Sequence, residues 1–471
     1  LRQSAYYRRL DETGRRRLQA LLPRMLELVV RAEQPEQVLG RLLKIIEMIG
    51  GRTVYLALLN ENATALERLV ELCAHSQFLA DQIASHPLLL DELIDERLFV
   101  TLPDRRQFER DLRERMAGVE DFDPEREIEL LKQFQRAAVF RVAVADLTGR
   151  LPIMKVSDRL TDIAELIVIK ALEFAWVQLT AKHGRPRCGE EPERSRLAGI
   201  VVVAYGKFGG YELGYGSDLD LVFLHDSTGE YQRTDGTTPL DNSVFFARLA
   251  QRLMHLLTVH GPAGRLYEVD TRLRPSGKGG LLVQSLSGFA SYQREEAWTW
   301  EHQALLRARA VAGAPRPRDE FERIRLDILQ HAVRRETLRD EVGRMRERMR
   351  NELSRAGAGE FDLKQDPGGI GDIEFLAQYW ALQFAAQHPE VVTFPDTIRV
   401  LETLASGDIV PQSTIDILVD AYRSYRRRLH HLSLDGGRAP VPDGEFREER
   451  AAVLEIWEQV FGGASRGDLG Q

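Results

Sequence analysis

The sequence predicts an α+β protein that is helical over most of its 471 residues, with one small mixed sheet between an N-terminal and a C-terminal all-helical region. Two runs predict the sheet. The run "IVVVAY" at 200–205 is largely β-branched, which is typical of a strand buried on both faces, and "LDLVFL" at 219–224 predicts a second strand. On either side of these runs, apolar residues recur at i, i+3, i+4 and i+7, the period of an amphipathic helix.

The helical pattern extends from about residue 11 to residue 184, in segments such as "LQALLPRMLELVVRA" and "TALERLVELCA". The polar stretch "HGRPRCGEEPERSR" at 183–196 predicts a linker or surface loop, and "APRPRD" at 314–319 predicts a second boundary. These boundaries divide the chain into an N-terminal helical region at 1–185, a sheet-containing domain at 196–313, a C-terminal helical bundle at 320–460 and a flexible tail at 461–471.

Several further elements are predicted within the sheet-containing domain. "SVFFARLAQRLMHLLTV" predicts a helix that Asp241 or Asn242 can cap. Alternation in "RLYEVDTRLRP" at 265–275 predicts a strand with acidic and basic side chains on one face. "PSGKGG" predicts a turn, "LLVQS" a short returning strand, and the segment at 289–313, which ends in "LLRARAVAG", a helix.

The composition argues against several classes of protein. The formal net charge of -8 provides no overall basic surface for sequence-independent binding to nucleic acid, so a protein or small-molecule partner is expected. Cys73 and Cys188 are the only cysteines and have no zinc-binding spacing, which favours a cytoplasmic protein. No apolar run reaches about 18 residues and the N-terminal segment has no signal-peptide core, so no membrane segment is expected.

Two carboxylates at the second predicted strand indicate a metal site. Residues i and i+2 project from the same side of a strand, so Asp218 and Asp220 share one face. Two such charges about 4–5 Å apart repel by roughly 3–4 kcal/mol at an effective dielectric near 20, which a cation or protonation must offset. Asp270 offers a third carboxylate, and three hard oxygen ligands suit Mg²⁺ or Mn²⁺.

A glycine-rich loop, "GKFGGYELGYG" at 206–216, directly precedes these carboxylates. Mg²⁺ seldom has a shell made only of protein ligands, so a phosphate ligand is expected, and glycines allow backbone N–H groups to approach phosphate closely. A flexible turn without a ligand is the alternative interpretation of this loop. Arg272 and Arg274 likewise either contact phosphate or only neutralise the neighbouring acids.

The order and spacing of these residues resemble a known signature. Gly206 and Lys207, followed after ten residues by "DLDL", are similar to the motif of polymerase-beta-like nucleotidyltransferases, with Asp270 at the place of the third carboxylate. Lys207 departs from the usual Ser or Gly, and a lysine can act on phosphate as a point charge. The resemblance implies that 196–313 is a nucleotidyltransferase catalytic domain.

Longer strings narrow the resemblance. The chain closely resembles the glutamine synthetase adenylyltransferase family, also called glutamate-ammonia-ligase adenylyltransferase, in "AYGKFGGYELGYGSDLDLVFLHD", "LYEVDTRLRPSGKGGLLVQS", "YQREEAWTWEHQALLRARAVAG" and "FDLKQDPGGIGDIEFLAQYW". Members of this family fuse an N-terminal adenylyl-removing half to a C-terminal adenylyl-transferring half. "GYGSDLDLVFLHD" is similar to the transferring half, whereas the removing half reads closer to "NFSSDIDLIF".

The resemblance implies Mg²⁺-dependent transfer of AMP from ATP to a tyrosine hydroxyl of glutamine synthetase, with release of pyrophosphate, as a control of nitrogen metabolism. It implies that Asp218, Asp220 and Asp270 are catalytic residues and metal ligands. Our own hypothesis is that Asp270 lies nearest the nucleophile and serves as a metal ligand and as its base. It also implies regulation of the full-length enzyme by the PII signal protein and by glutamine. The residues expected to bind ATP are Gly206, Lys207, Gly209, Gly210, Gly216, Ser217, Arg272 and Arg274.

Two other functions fit the same residues. Phosphorolytic removal of AMP from adenylylated glutamine synthetase uses the same metals, and a catalytically inert nucleotide-binding module would regulate without turnover. The segment "KQDPGGIGDIEF" at 364–375 predicts a turn followed by a helix start. The sequence leaves open whether Asp372 and Glu374, in this segment, reach the active site.

Overall fold

The computed structural model describes residues 5–49, 52–95, 102–117, 123–261, 264–437 and 440–462. The predicted tail at 461–471 lies outside these ranges from residue 463 onward. The fold is α+β and mostly helical, which confirms the predicted class. Among the helices within these ranges, none combines the length and the apolar character needed to cross a bilayer.

The chain divides into two compact units. Unit 1 comprises Leu1–Ile163 and His430–Arg438, and unit 2 comprises Ala164–Leu429 and Ala439–Gln471. Two of the three points of division fall within long helices, since residue 163 belongs to the helix Ile153–His183 and residue 430 to the helix Gln412–Asp435. The domain boundaries predicted from the sequence stay predictions.

Unit 1 is built from amphipathic helices. Asp11 is the N-cap of the helix Glu12–Val29, since its side chain accepts a hydrogen bond of 2.6 Å from the backbone N–H of Gly14. In another, the buried residues follow the helical period along one face: Val38, Leu42, Ile45, Ile46 and Ile49. The described helices up to residue 183 are Ala5–Arg9, Glu12–Val29, Pro35–Ile49, Thr53–Glu61, Ala63–His75, Gln77–Ser85, Leu89–Glu92, Arg105–Met116, Pro124–Leu147 and Ile153–His183.

The described strands belong to unit 2. They are β1 (Pro186–Gly189), β2 (Arg196–Leu197), β3 (Ile200–Ala204), β4 (Leu219–His225), β5 (Tyr231–Thr234), β6 (Val269–Asp270), β7 (Val283–Ser285), β8 (Arg309–Gly313), β9 (Glu360–Asp362) and β10 (Pro440–Pro442). The main sheet has the order β6-β4-β3-β8, and β7 also pairs with β4. This sheet is mixed, as predicted, because β3 is antiparallel to β4 and β8 whereas β6 and β7 are parallel to β4.

Helices surround the sheet in unit 2. The helix Asn242–Thr258 is present as predicted and buries Phe245, Leu249 and Leu253. Asp241 occupies its N-cap position, but its side chain forms no capping hydrogen bond. The C-terminal region is helical apart from the short antiparallel pair of β9 and β10. The described helices after residue 183 are Gly206–Gly209, Asn242–Thr258, Leu286–Glu295, Thr299–Leu306, Pro315–His331, Arg335–Leu353, Ile370–Phe384, Thr397–Ser406, Gln412–Asp435 and Arg447–Phe461, with 3-10 turns at Pro192–Arg194, Gly277–Gly279 and Pro389–Val392.

The segment predicted as a linker or surface loop at 183–196 contains strand β1, so the prediction was wrong there, whereas residues 190–194 are exposed, as expected of a surface loop. β1 pairs with both β2 and β5, and Cys188 in β1 is fully buried. The segment looked like a linker because only alternate residues of β1 are buried, and the positions between them can be polar.

The segment at 289–313 was predicted as one helix, and its C-terminal end is a strand instead. Arg309–Gly313 forms β8, which pairs with β3 on the side opposite β4. Alanine favours helix locally, but pairing with the buried strand β3 decides the conformation here.

The strand predicted in 265–275 is much shorter than expected. It is reduced to Val269–Asp270, because the Asp270 side chain accepts a hydrogen bond of 2.8 Å from the backbone N–H of Arg272 and starts a turn. Glu268 precedes the strand and forms an ion pair with Arg265. The prediction that acidic and basic side chains of 265–275 share one strand face was therefore wrong for all but Asp270.

Candidate active site

The three predicted carboxylates lie together at one edge of the main sheet. β4 and β6 run parallel, with Asp220 directly opposite Asp270 in their register. Asp218 lies immediately before β4. One carboxylate oxygen from each of the three residues lies within 4.8 Å of the other two. The parallel pairing of two strands that are distant in sequence therefore creates a cluster of three acids in unit 2.

The negative charges of this cluster repel one another. The pKa of Asp220 is raised to about 6, first by burial and then by the charges of Asp218 and Asp270, while Lys207 and Arg307 act in the opposite direction. Three carboxylate oxygens form a hard ligand set, and a divalent cation among them would relieve the repulsion. The residues present therefore fit a Mg²⁺ or Mn²⁺ site.

Two glycines allow the loop between β3 and β4 to lie against the carboxylates. Gly206 has a φ of +56°, and a side chain at this position would collide with Oδ2 of Asp220. A side chain at Gly209 would collide with the backbone oxygens of Ala204 and Arg307. Both glycines are thus required for the close approach of the loop to the sheet.

Three other predicted loop residues have identifiable local contacts. A Cβ atom at Gly210 would lie 3.1 Å from Nε of Arg307, so Gly210 packs beside that guanidinium group. Gly216 lies in a left-handed turn with open space around it. Oγ of Ser217 accepts a hydrogen bond of 3.1 Å from the backbone N–H of Gly214, which closes this turn. A role for these residues in binding ATP stays a prediction.

Lys207 as a residue is exposed, although protein surrounds its ammonium group on most sides. Its pKa is lowered to about 8, first by the loss of hydration and then by the positive charges of Lys364 and Arg426, while Glu374 acts in the opposite direction. Cations from distant parts of unit 2 therefore act on the glycine-rich loop. The sequence identified Lys207 but not Lys364 or Arg426, because these residues come near the loop only in the folded chain.

The two predicted arginines differ in their contacts. Nε of Arg272 donates a hydrogen bond of 2.6 Å to Oδ2 of Asp270, so this guanidinium group lies at the acidic cluster. Arg274 donates hydrogen bonds to the backbone oxygens of Thr271 at 2.8 Å and Gly280 at 3.2 Å. These bonds hold the turn that follows β6. A phosphate contact by either arginine stays a prediction.

A fully buried carboxylate, Glu212, supports the loop from behind, and sequence reasoning missed it. Glu212 forms an ion pair with Arg307 and accepts a hydrogen bond of 3.0 Å from the backbone N–H of Thr397. Arg426 donates a hydrogen bond of 2.8 Å to the backbone oxygen of Glu212. Burial alone would raise the pKa of Glu212, but the positive charges of Arg307 and Arg426 lower it. No local signal in the sequence identifies partners so far along the chain.

Asp372 and Glu374, whose roles the sequence left open, have different surroundings. Glu374 lies 3.3 Å from Arg307, the arginine that also pairs with Glu212. Asp372 is completely buried and lies 2.7 Å from Arg346 and 3.2 Å from Arg350. Glu374 therefore belongs to the charged network behind the loop, whereas Asp372 has a structural role.

Comparison with known proteins decides the family. A family model described as glutamate-ammonia ligase adenylyltransferase matches residues 66–324, which is more than half of the chain. The chain belongs to this family. The resemblance predicted from the motifs is thereby confirmed. A second family model, described as GlnD PII-uridylyltransferase, matches residues 338–440.

Relatives match nearly the whole chain. The bifunctional glutamine synthetase adenylyltransferase/adenylyl-removing enzyme of Thioalkalivibrio sulfidiphilus is 48% identical over 461 residues, which cover 98% of this chain and 47% of the relative. The enzymes of the same name from Nitrosococcus oceani and Pseudomonas aeruginosa are 48% and 44% identical, and each match covers 98% of this chain and 48% of the relative. The chain therefore spans about half the length of the curated relatives it matches. The family is one of nucleotidyltransferases.

Proposed function

We propose that this chain transfers AMP from ATP to a tyrosine hydroxyl of glutamine synthetase and releases pyrophosphate. The observation that carries this proposal is the clustering of Asp218, Asp220 and Asp270 within 4.8 Å of one another beside a glycine-rich loop. Such a cluster suits a cation that also binds phosphate oxygens. The relatives are named glutamine synthetase adenylyltransferases, which suggests the nucleotide and the acceptor protein.

The three aspartates would hold Mg²⁺. When bound, the metal neutralises phosphate charge and lowers the pKa of an acceptor tyrosine from its ordinary value of about 10. Asp270 serves as the base that accepts the tyrosine proton, and Arg272 orients it through the hydrogen bond to Oδ2. Gly206 lets backbone of the loop approach the substrate phosphates, and Lys207 provides positive charge for the departing pyrophosphate.

A second candidate is the removal of AMP from the adenylylated synthetase by orthophosphate, which yields ADP. The names of the relatives contain both activities, and the chain spans about half of their length. We favour the transfer direction because "GYGSDLDLVFLHD" is similar to the transferring half of the family.

The proposed partners and location follow from the family. Glutamine synthetase is the substrate protein, and the PII signal protein and glutamine regulate the activity in the full-length enzyme. The proposed location is the cytoplasm.

The first experiment measures transfer of label from [α-³²P]ATP to unmodified glutamine synthetase in the presence of Mg²⁺. We expect label on the synthetase with the wild-type chain and none with Asp218→Asn. Phosphate-dependent release of ADP from adenylylated synthetase, without forward labelling, would favour the removing activity. Absence of both reactions would contradict the proposal that this chain is catalytic.

A further inference from the structure

Backbone hydrogen bonds fold the start of the glycine-rich loop into a tight turn. The backbone N–H of Gly210 donates a hydrogen bond of 3.0 Å to the oxygen of Gly206. The backbone N–H of Glu212 donates one of 2.8 Å to the oxygen of Lys207. Gly206 lies so close to Asp220 that a side chain at position 206 would collide with Oδ2 of that carboxylate. Glu212 therefore closes a turn that lies directly against the acidic cluster.

Glu212 joins this turn to parts of unit 2 that are distant in sequence. Its carboxylate forms an ion pair with Arg307. The carboxylate also accepts a hydrogen bond of 3.0 Å from the backbone N–H of Thr397, the first residue of the helix Thr397–Ser406, where the helix dipole favours a negative charge. The backbone oxygen of Glu212 accepts a hydrogen bond of 2.8 Å from Arg426. Through Glu212, helices of the C-terminal region therefore hold the loop.

The residue before Glu212 has a strained backbone. Tyr211 has a φ of +55°, in the left-handed region that residues with a side chain seldom adopt. The guanidinium group of Arg309 lies over the ring of Tyr211, 4.0 Å from the ring centroid, and Arg309 also forms an ion pair of 2.7 Å with Glu165. A strained conformation persists only where its surroundings hold it, so the loop depends on the contacts of Glu212 and Tyr211.

Arg307 connects the charge of Glu212 to the packing of the loop. Gly210 packs beside the guanidinium group of Arg307, since a Cβ atom added to Gly210 would lie 3.1 Å from Nε. Glu374 is a second carboxylate near this guanidinium group, at 3.3 Å. Removal of the charge of Glu212 would leave Arg307 with Glu374 as its counter-charge and draw the guanidinium group away from Gly210. The ion pair of Glu212 therefore fixes the surface on which the turn packs.

We infer that Glu212 is a positioning residue for the transfer of AMP. It holds the glycine-rich loop in the conformation in which backbone N–H groups of the loop face the substrate phosphates. It acts through the loop, because its own carboxylate is fully buried. This inference rests on the proposed function, in which the loop binds the phosphates of ATP. A residue with only a structural role would stabilise the fold and leave the rate of the folded enzyme unchanged.

The test measures transfer of label from [α-³²P]ATP to glutamine synthetase by wild type, Glu212→Gln, Glu212→Ala and Asp372→Asn, with each rate divided by the folded fraction from circular dichroism. Asp372 is the matched control, because it is also completely buried and its ion pairs are with Arg346 and Arg350. Glu212→Gln keeps the shape and the acceptor for the N–H of Thr397 and loses the charge, so it carries the test if Glu212→Ala does not fold. We expect kcat per folded molecule to fall about tenfold or more in Glu212→Gln, about a hundredfold in Glu212→Ala, and less than about threefold in Asp372→Asn.

Hydrogen exchange reports on the loop without any reaction. The backbone N–H groups of Gly209, Gly210 and Glu212 all donate to backbone oxygens in the folded chain, so a peptide that spans 205–213 should exchange slowly in wild type. In Glu212→Gln we expect this peptide to exchange about tenfold faster, while peptides from β4 exchange as in wild type. Unchanged exchange of the loop peptide in Glu212→Gln would overturn the inference.

The rates of transfer can also overturn the inference. It fails if kcat per folded molecule in Glu212→Gln stays within about threefold of wild type, or if Glu212→Gln and Asp372→Asn lose activity equally. The proposed function stands in both cases, provided that wild type transfers AMP. If wild type transfers no AMP but the loop exchanges faster in Glu212→Gln, Glu212 holds the loop and the proposed function fails.

Discussion

Two segments of unit 2 look alike in sequence and differ in the folded chain. Both have paired glycines followed by an acid, one residue, and a second acid: "GGYELGYGSDLD" and "GGIGDIE". In the first, Asp218 and Asp220 lie within 4.8 Å of Asp270 and repel one another. In the second, Asp372 is buried against two arginines, Arg346 and Arg350. The degree of charge compensation, rather than the motif, separates a candidate metal ligand from a structural carboxylate.

The largest expected effect is on activity at the uncompensated cluster. Asp220→Asn should reduce AMP transfer by about 10³-fold or more, because it removes a charged metal ligand without a change of shape. The folded state should remain, since the change also removes repulsion. Transfer of label from [α-³²P]ATP measures this, with Asp327→Asn, in an exposed ion pair with Arg294, as the control. Transfer within tenfold of wild type would show that Asp220 is not a metal ligand.

Substitution of Asp372, whose charge is compensated by arginines, should affect stability more than activity. Asp372→Asn should lower the free energy of unfolding by about 3–5 kcal/mol, because it leaves the buried guanidinium of Arg346 without its counter-charge. The loss of activity should follow the loss of folded protein. Urea denaturation followed by circular dichroism measures this, and Asp327→Asn should cost about 1 kcal/mol or less. A fully stable Asp372→Asn variant with no activity would place Asp372 in the catalytic chemistry instead.

The pH dependence of stability should report the charge repulsion within the acidic cluster. Because the pKa of Asp220 in the folded state is raised to about 6, the folded state binds the proton more tightly than the unfolded state. Stability of metal-free protein should therefore fall as pH rises from about 4 to 6, by about 2–3 kcal/mol from this group. Asp220→Asn should lack this contribution, and Mg²⁺ should restore stability to wild type at pH 7. Unfolding curves with EDTA and with Mg²⁺ measure it; an identical pH dependence in both proteins would contradict the charge repulsion.

The smallest effect is expected at Arg272, which compensates the charge of the acidic cluster only in part. Arg272 is largely exposed and orients Asp270 by a hydrogen bond of 2.6 Å. Arg272→Ala should reduce kcat for AMP transfer by about three- to tenfold and leave thermal stability unchanged. Arg272→Lys should recover only part of the rate, since one ammonium cannot reproduce the planar contact. A loss as large as that of Asp220→Asn would mean that Arg272 contacts the reacting groups directly.

Part of the fold and of the site could be predicted from the sequence because it depends on local periodicity. The i, i+2 spacing puts Asp218 and Asp220 on one side of a strand, and Gly206 precedes them at the spacing of a nucleotidyltransferase motif. The buried run at 200–205 and the helical periods on both sides predicted the α+β class. Each of these features depends on residues close together in the sequence, so it can be predicted without knowing how the rest of the chain folds.

Other features were decided only by tertiary structure. Residues 309–313 have the composition of a helix and become a strand because β3 offers a buried partner. Glu212, Arg307 and Lys364 come from three distant parts of unit 2, and each has an ordinary local sequence. A charge acquires its role from its distance to other charges and to water, and both distances are determined by packing between residues far apart in the chain. The sequence alone therefore determined which residues could bind a metal, and the tertiary structure decided which charges remained uncompensated.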